Sequence, residues 1–198
     1  MSTESTRDAI VITAAPTYYS RLARRLHWTT FALVVIAYAS INARKLFERG
    51  SDERILAVES HFLVGMVILM LTLPRLVHRM KAPLPPIVPP PSAWSALLSK
   101  TTHVLLYAFL IVQPLTGIVA RLAEGKGIGL PFTERVIPSF FGPHEALAAF
   151  LESAHVWIGE AFYWVIGLHI LAALFHLLAG RDNVMQRMTG RSGPARVL

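Results

Sequence analysis

The sequence predicts an all-α protein, a four-transmembrane-helix bundle with both termini cytoplasmic. Three observations carry the prediction. The 198 residues are 54% hydrophobic and 16% charged, with a mean hydropathy of +0.49, which is too apolar for an ordinary soluble domain. Four windows approach the ~20 apolar residues that cross a hydrocarbon core roughly 30 Å thick. Most of the Pro, Gly, Lys and Arg fall between those windows, so the chain reads as one bundle and not two domains.

In chain order, residues 1–17, MSTESTRDAIVITAAPT, predict a short disordered tail. They lack the charged segment, apolar segment and small-residue cleavage site of a signal peptide. The membrane domain is expected over 18–188, with spans at Leu26–Ala43, Ser60–Val77, Thr101–Leu122 and Val156–Ala179, and a C-terminal tail over 189–198. Between the second and third spans, KAPLPPIVPPPSAW carries six prolines in the nine positions from Pro83 to Pro91. Such a segment runs as an extended, semi-rigid strap across the inner face.

Orientation follows from charge. Arg7, Arg21, Arg24, Arg25, Arg75, Arg79, Lys81, Lys100, Arg181, Arg187, Arg191 and Arg196 belong to the side shared by the termini and the second loop, a total of 12. Only seven, Arg44, Lys45, Arg49, Arg54, Arg121, Lys126 and Arg135, fall in the first and third loops, beside Glu48, Asp52, Glu53, Glu124 and Glu134. The positive-inside rule then makes both termini cytoplasmic. Topology and lipid headgroups thereby account for the net charge of +7, leaving little reason to expect a nucleic-acid partner. The absence of cysteine excludes disulfides, thiolate-bound clusters, zinc–thiolate sites and covalently attached c-type haem.

The chemistry lies in the histidines. His78 and His144 sit in or beside loops and read as surface residues, whereas His27, His61, His103, His155, His169 and His176 are embedded or lie at helix ends. An ionisable side chain inside a membrane is a functional hypothesis by default, since an unpaired polar group there costs about 2 kcal/mol or more. On the fourth span the spacings of 14 and 7 put His155, His169 and His176 on one helical face. His155 and His169 are then about 21 Å apart along the axis, and His155 and His176 about 31 Å.

One imidazole does not make a six-coordinate haem, so partners at matching depth are required. His61 lies in the first turn expected for the second span, as His155 does in the fourth, and each is followed four residues later by glycine, Gly65 and Gly159, leaving room for a flat porphyrin. On the inner side, depth counting matches His27 with His176. Tunnelling favours His169, because electron exchange falls off exponentially with distance, provided that the first helix dips inward or is tilted, tilts of about 20° being usual.

Taken together, YSRLARRLHW (Tyr19–Trp28), ESHFLVG (Glu59–Gly65), KAPLPPIVP, THVLLY (Thr102–Tyr107), SAHVWIGEAFYWVIGLHILAALFH and the trailing RDNVMQRM resemble the bacterial cytochrome b561 family. The resemblance covers roughly Tyr18 to Met188 and implies two haem b groups in an inner-membrane four-helix protein. Its pattern implies His27 and His169 on the inner haem iron and His61 and His155 on the outer one. Within the family the chain most resembles the type that oxidises superoxide to O2 on the periplasmic side and reduces ubiquinone. On that reading, superoxide is steered by the seven basic residues of the first and third loops. His103, His176 and Arg75 are candidates for quinone binding or proton delivery, His103 and His176 alternatively for hydrogen bonds to haem propionates, and Arg21 and Arg24 for pairing with those propionates.

No obligate protein partner is expected. Two other readings use the same residues: a cytochrome b subunit that anchors a dehydrogenase or hydrogenase, and a haem-free proton or metal transporter built on the histidines and Glu160. A visible spectrum of the dithionite-reduced protein separates the transporter from the cytochromes. An alpha band in the b-haem region is expected, with about half of it lost on replacing His169 and none on replacing His176.

Overall fold

The computed structural model describes residues 16–140, 142–179 and 182–190. Apart from residues 16–17 and 189–190, the tails expected at either end lie outside that set. Four helices are long and apolar enough to cross a membrane among the described residues: α1 (Arg21–Ala43), α2 (Asp52–Lys81), α3 (Ala93–Ala123) and α4 (Glu145–Leu178). They alternate in direction, so α1 and α3 begin, and α2 and α4 end, on one side, called here the terminal face; the other side is the distal face.

Three of the helices start well outside the apolar windows. Helix α2 begins at Asp52, with Ser51 Oγ accepting from the Arg54 amide and Asp52 and Glu53 in its first turn; α3 is capped by Ser92, and α4 begins at Glu145. Hydropathy reports only the length that lipid requires. The helices run on because Ser and acidic residues at the N-terminus satisfy free amides and favour the helix dipole. His61 therefore lies nine positions past the start of α2, in its third turn and not its first.

Two small elements were not foreseen. A hairpin of β1 (Ile128–Gly129) and β2 (Val136–Ile137), with Ile128 opposite Ile137, covers the distal end of α2, and a helix α5 (Val184–Thr189) folds under the terminal face. The proline strap is held there by Asn183, whose backbone amide donates to Val88 O at 3.2 Å and whose side chain accepts from the Val88 amide at 2.9 Å and donates to Pro86 O at 3.2 Å.

The buried core sits at mid-depth. Ile68, Phe109 and Leu110 are buried together, and Val34, Val64, Ile158 and Phe162 pack around them. Phe109 and Phe162 stack at 4.2 Å with their planes 12° apart. Phe162 is seven residues from both His155 and His169, so this apolar layer divides the bundle into two halves, each with its own histidines. Thr30 and Thr72 are buried but satisfied, each hydroxyl donating 2.7 Å to a carbonyl one turn back, Leu26 O and Ile68 O. Large apolar side chains such as Trp164, Leu168 and Leu171 cover the outside, as lipid contact requires.

Candidate functional site

In the distal half, the rings of His61 and His155 face one another with centres 6.0 Å apart. Each ring is held through Nδ1. His61 Nδ1 donates to Ala37 O on α1 at 2.9 Å, and His155 Nδ1 donates to Gln113 O on α3 at 2.9 Å, with Thr116 Oγ1 at 3.3 Å. A proton on Nδ1 leaves the Nε2 lone pair of a neutral imidazole free. Gln113 also reaches back, its Nε2 donating to His155 O at 2.7 Å. This occurs beside Pro114, where the α3 ladder is interrupted. Close approach needs Gly117, because a Cβ there would come within 2.8 Å of His155 Cε1.

The two glycines expected to leave room do different things. A Cβ on Gly65 would meet nothing within 4 Å, so open space lies one turn beyond His61. On Gly159 it would meet Gln113 Nε2 at 2.9 Å, and Gly159 O accepts from Tyr38 Oη at 2.7 Å. Gly159 thus serves helix packing and ties α1 to α4.

In the terminal half, His169 lies between two other imidazoles. Its ring centre is 6.5 Å from that of His27 and 5.7 Å from that of His103. His103 Nδ1 donates 2.6 Å to Ser99 O, whereas His27 Nδ1 accepts from Arg75 Nη2 at 2.8 Å. The Arg75 guanidinium also stands 5.2 Å from the Tyr107 ring centre. His176 is apart from this group, its Nδ1 donating 2.6 Å to Asp182 Oδ2. His78 does more than face solvent: Nε2 lies 2.7 Å from Ser20 Oγ, the cap of α1. His144 supplies the cap position of α4, and its amide donates to Ala123 O.

Of the basic residues expected to form a distal funnel, Arg121 and Lys126 both pair with Glu124 at 3.3 Å, and Arg54 donates to Arg44 O at 2.7 Å. Arg49 and Arg135 are exposed and form no ion pair among the described residues. On the terminal face Arg24 Nη1 donates to Thr189 O at 2.7 Å, and Arg21 is exposed.

These positions can be compared with what a porphyrin iron asks of a protein. Two trans imidazoles, with metal–nitrogen bonds of about 2.0 Å and about 1.1 Å from nitrogen to ring centre, have their centres about 6.2 Å apart. Both the distal pair and the His27–His169 pair come close to that separation. No group of three or more His, Asp or Glu gathers to hold a bare ion among the described residues. Paired imidazoles with locked Nδ1 protons, as in the distal half, suit a metal whose other four ligands come from a macrocycle. At His27 the spacing fits, but ligation through Nε2 places the proton on Nδ1, which requires Arg75 to release that nitrogen.

Sequence reasoning missed the groups that hold the rings. Ala37 O and Gln113 O are backbone atoms with no residue signature, and Thr116, Gly117 and Asp182 are meaningful only once their neighbours are placed.

The chain matches the family model described as prokaryotic cytochrome b561 over residues 18–191. Among curated proteins it is 32% identical over 173 residues to cytochrome b561 homolog 1 of Escherichia coli (strain K12), covering 87% of this chain and 97% of that protein. It is 33% identical over 175 residues to the probable superoxide oxidase CybB of Yersinia pestis, covering 86% and 94% respectively. Cytochrome b561 homolog 2 of Escherichia coli (strain K12) is 27% identical over 136 residues, covering 69% of this chain and 72% of that protein. With four membrane-length helices and histidines facing one another across them, the chain belongs to the prokaryotic cytochrome b561 family, membrane proteins of electron transfer that normally bind haem b.

Proposed function

We propose that the protein is a di-haem cytochrome of the bacterial inner membrane, with both termini cytoplasmic, which oxidises superoxide to O2 and reduces ubiquinone without an obligate protein partner. The observation that supports it most is the pair of imidazole–imidazole gaps, one in each half of the bundle, at 6.0 and 6.5 Å. The name of the Yersinia relative supports superoxide as donor. In this reading His61 and His155 hold the outer iron and His27 and His169 the inner. Haem b supplies reversible one-electron chemistry there.

Histidines holding each haem from both sides would leave superoxide no place on the iron, and the protein's task would be to bring the anion close. Arg49 and Arg135, exposed and without an ion pair among the described residues, and Lys45 of the same first loop as Arg49 do this by attraction. Two superoxide anions give up one electron each, and ubiquinone takes both electrons with two protons to become ubiquinol. For those protons His176 is well arranged: Asp182 holds its Nδ1–H, leaving Nε2 to accept and donate. His103, exposed on α3 and beside His169, and Arg75 are the other groups we assign to the quinone side.

A second arrangement of the inner ligands is favoured by one observation, the Nδ1–H of His103 on Ser99 O, which frees its Nε2 as the distal histidines are freed. Haem content per protein in His27→Ala and His103→Ala separates the two. His27→Ala is expected to lose about half the haem and His103→Ala almost none, and the opposite result moves the ligand to His103.

Two glycine variants test the porphyrin space independently. Gly117→Ala pushes on the His155 ring and is expected to destabilise the protein by about 1–3 kcal/mol and disturb the outer haem. Gly65→Ala meets only open space in the protein, so an unchanged apoprotein that binds less outer haem is the expected result, and unaltered haem binding argues against a porphyrin at that place.

Stopped-flow reduction of the haem by superoxide tests the donor. The rate is expected to fall several-fold as the Debye length shrinks from about 30 Å to about 8 Å, and Arg49→Gln combined with Arg135→Gln should flatten that dependence. A salt-independent rate removes the steering role, and a large subunit co-purifying in mild detergent overturns the stand-alone reading.

A further inference from the structure

The terminal face carries far more positive than negative charge. Among the described residues it holds Arg21, Arg24, Arg25, Arg75, Arg79, Lys81, Lys100 and Arg187, against the single carboxylate of Asp182. That carboxylate is already engaged, Oδ2 by His176 and Oδ1 by the Val184 amide. No ion pair joins Asp182 or any other acid to these arginines among the described residues.

Most surface arginines need no counterion, but three of these are tucked inside. Arg187 is only 7% exposed, and its Nε, the Nε of Arg24 and Nη1 of Arg79 are buried without a hydrogen-bond partner among the described residues. Tyr19 stands between two of them, its ring centre 5.2 Å from the Arg187 guanidinium and 6.0 Å from that of Arg79. Arg187 has further ties, Nη2 donating to Tyr19 Oη at 3.2 Å and its carbonyl accepting from the Tyr19 amide at 3.0 Å. Arg79 has none: no protein oxygen accepts from it among the described residues. Burial lowers the Arg187 pKa from its ordinary value; Tyr19 opposes the shift, the Arg79 charge adds to it, and Asp182 opposes it.

Two like charges beside one ring, with the nearby Asp182 carboxylate already bonded to His176 and Val184, are costly unless an anion joins them. Next to them is room for one. A cavity of about 170 Å³ lies between the start of α1, the end of α2 and the proline strap; Tyr19, Arg79 and Pro83 line its outer part, and it reaches inward to His27, Arg75 and His78. It stands where a membrane leaflet presents its headgroups, at the ends of spanning helices.

We propose that this cavity is a binding site for the phosphate of an anionic phospholipid, with Arg79 as its main ligand and Tyr19 and Arg187 fixing the Arg79 guanidinium. Arginine suits the task because its planar fork meets two phosphate oxygens at once, where lysine offers a point charge. The bound headgroup would neutralise the cluster and join α1, α2 and α5 at one point. The cavity shares His27 and Arg75 with the site of the proposed function, so haem content and lipid retention are read separately.

The test uses the full haem-loaded protein in nanodiscs of phosphatidylcholine with phosphatidylglycerol, and measures by native mass spectrometry which lipid stays bound after delipidation. Phosphatidylglycerol is expected to be retained in preference to phosphatidylcholine. Loss of one charge-assisted contact in Arg79→Gln should cut that preference about tenfold or more. Arg25→Gln, an exposed change of equal charge on the same face, should change it less than about twofold. Arg79→Lys, should Arg79→Gln fold poorly, is expected to keep only part of the preference. Equal effects of Arg79→Gln and Arg25→Gln would reduce the site to general surface charge and overturn the proposal. Displacement of the lipid by millimolar inorganic phosphate would make it a site for free phosphate instead. Loss of haem along with lipid in Arg79→Gln would assign the guanidinium to haem carboxylates, also against the proposal. A protein with no b-haem spectrum and an intact lipid preference would fail the proposed function and leave this site standing.

Discussion

An imidazole placed in hydrocarbon has to satisfy both ring nitrogens, and most of this bundle is arranged around that demand. In the distal half the backbone meets half of it: Ala37 O takes the Nδ1–H of His61, and Gln113 O that of His155. Each imidazole on one helix is thereby oriented by a carbonyl on a neighbouring helix. His61 ties α2 to α1, and His155 ties α4 to α3, so ring position depends on helix packing and helix packing on ring position. The two rings then stand with centres 6.0 Å apart and planes at 87°.

Several local features exist to permit this. Pro114 interrupts the ladder of α3 near the carbonyl that His155 reaches, and Gly117 removes the side chain that would strike its ring. Gln113 binds the His155 backbone, and its own flank is kept clear by Gly159, which also receives Tyr38 from α1. The stacked Phe109 and Phe162 then close the middle of the bundle, separating the distal site from the terminal one with an apolar layer. Such a layer keeps water and ions from crossing the bundle while leaving the two sites about 21 Å apart along α4.

The terminal half is organised differently. There His27 and His176 are held by charged side chains, Arg75 and Asp182, while His103 uses a helix carbonyl, Ser99 O, and the strap and α5 close the end through Asn183. Side chains change partners more readily than helix carbonyls do. The ties of His27 and His176 are therefore more adaptable than those of the distal rings.

By itself the sequence determined the number of membrane-length helices and the proline strap, because hydropathy and composition act on each segment separately, whatever its neighbours. The spacing of 14 between His155 and His169 likewise set one helix face and two depths from the geometry of a single helix. Pairing across helices was legible only as a matching of depths, and it left His27 between His169 and His176. The tertiary structure decided what depended on two segments at once: His169 within 6.5 Å of His27 and 5.7 Å of His103, His176 turned to Asp182, Gly159 given to Gln113, and the helix starts set by caps and not by apolar length. Those outcomes hang on backbone carbonyls and side-chain directions, which residue identity does not encode until the helices are packed.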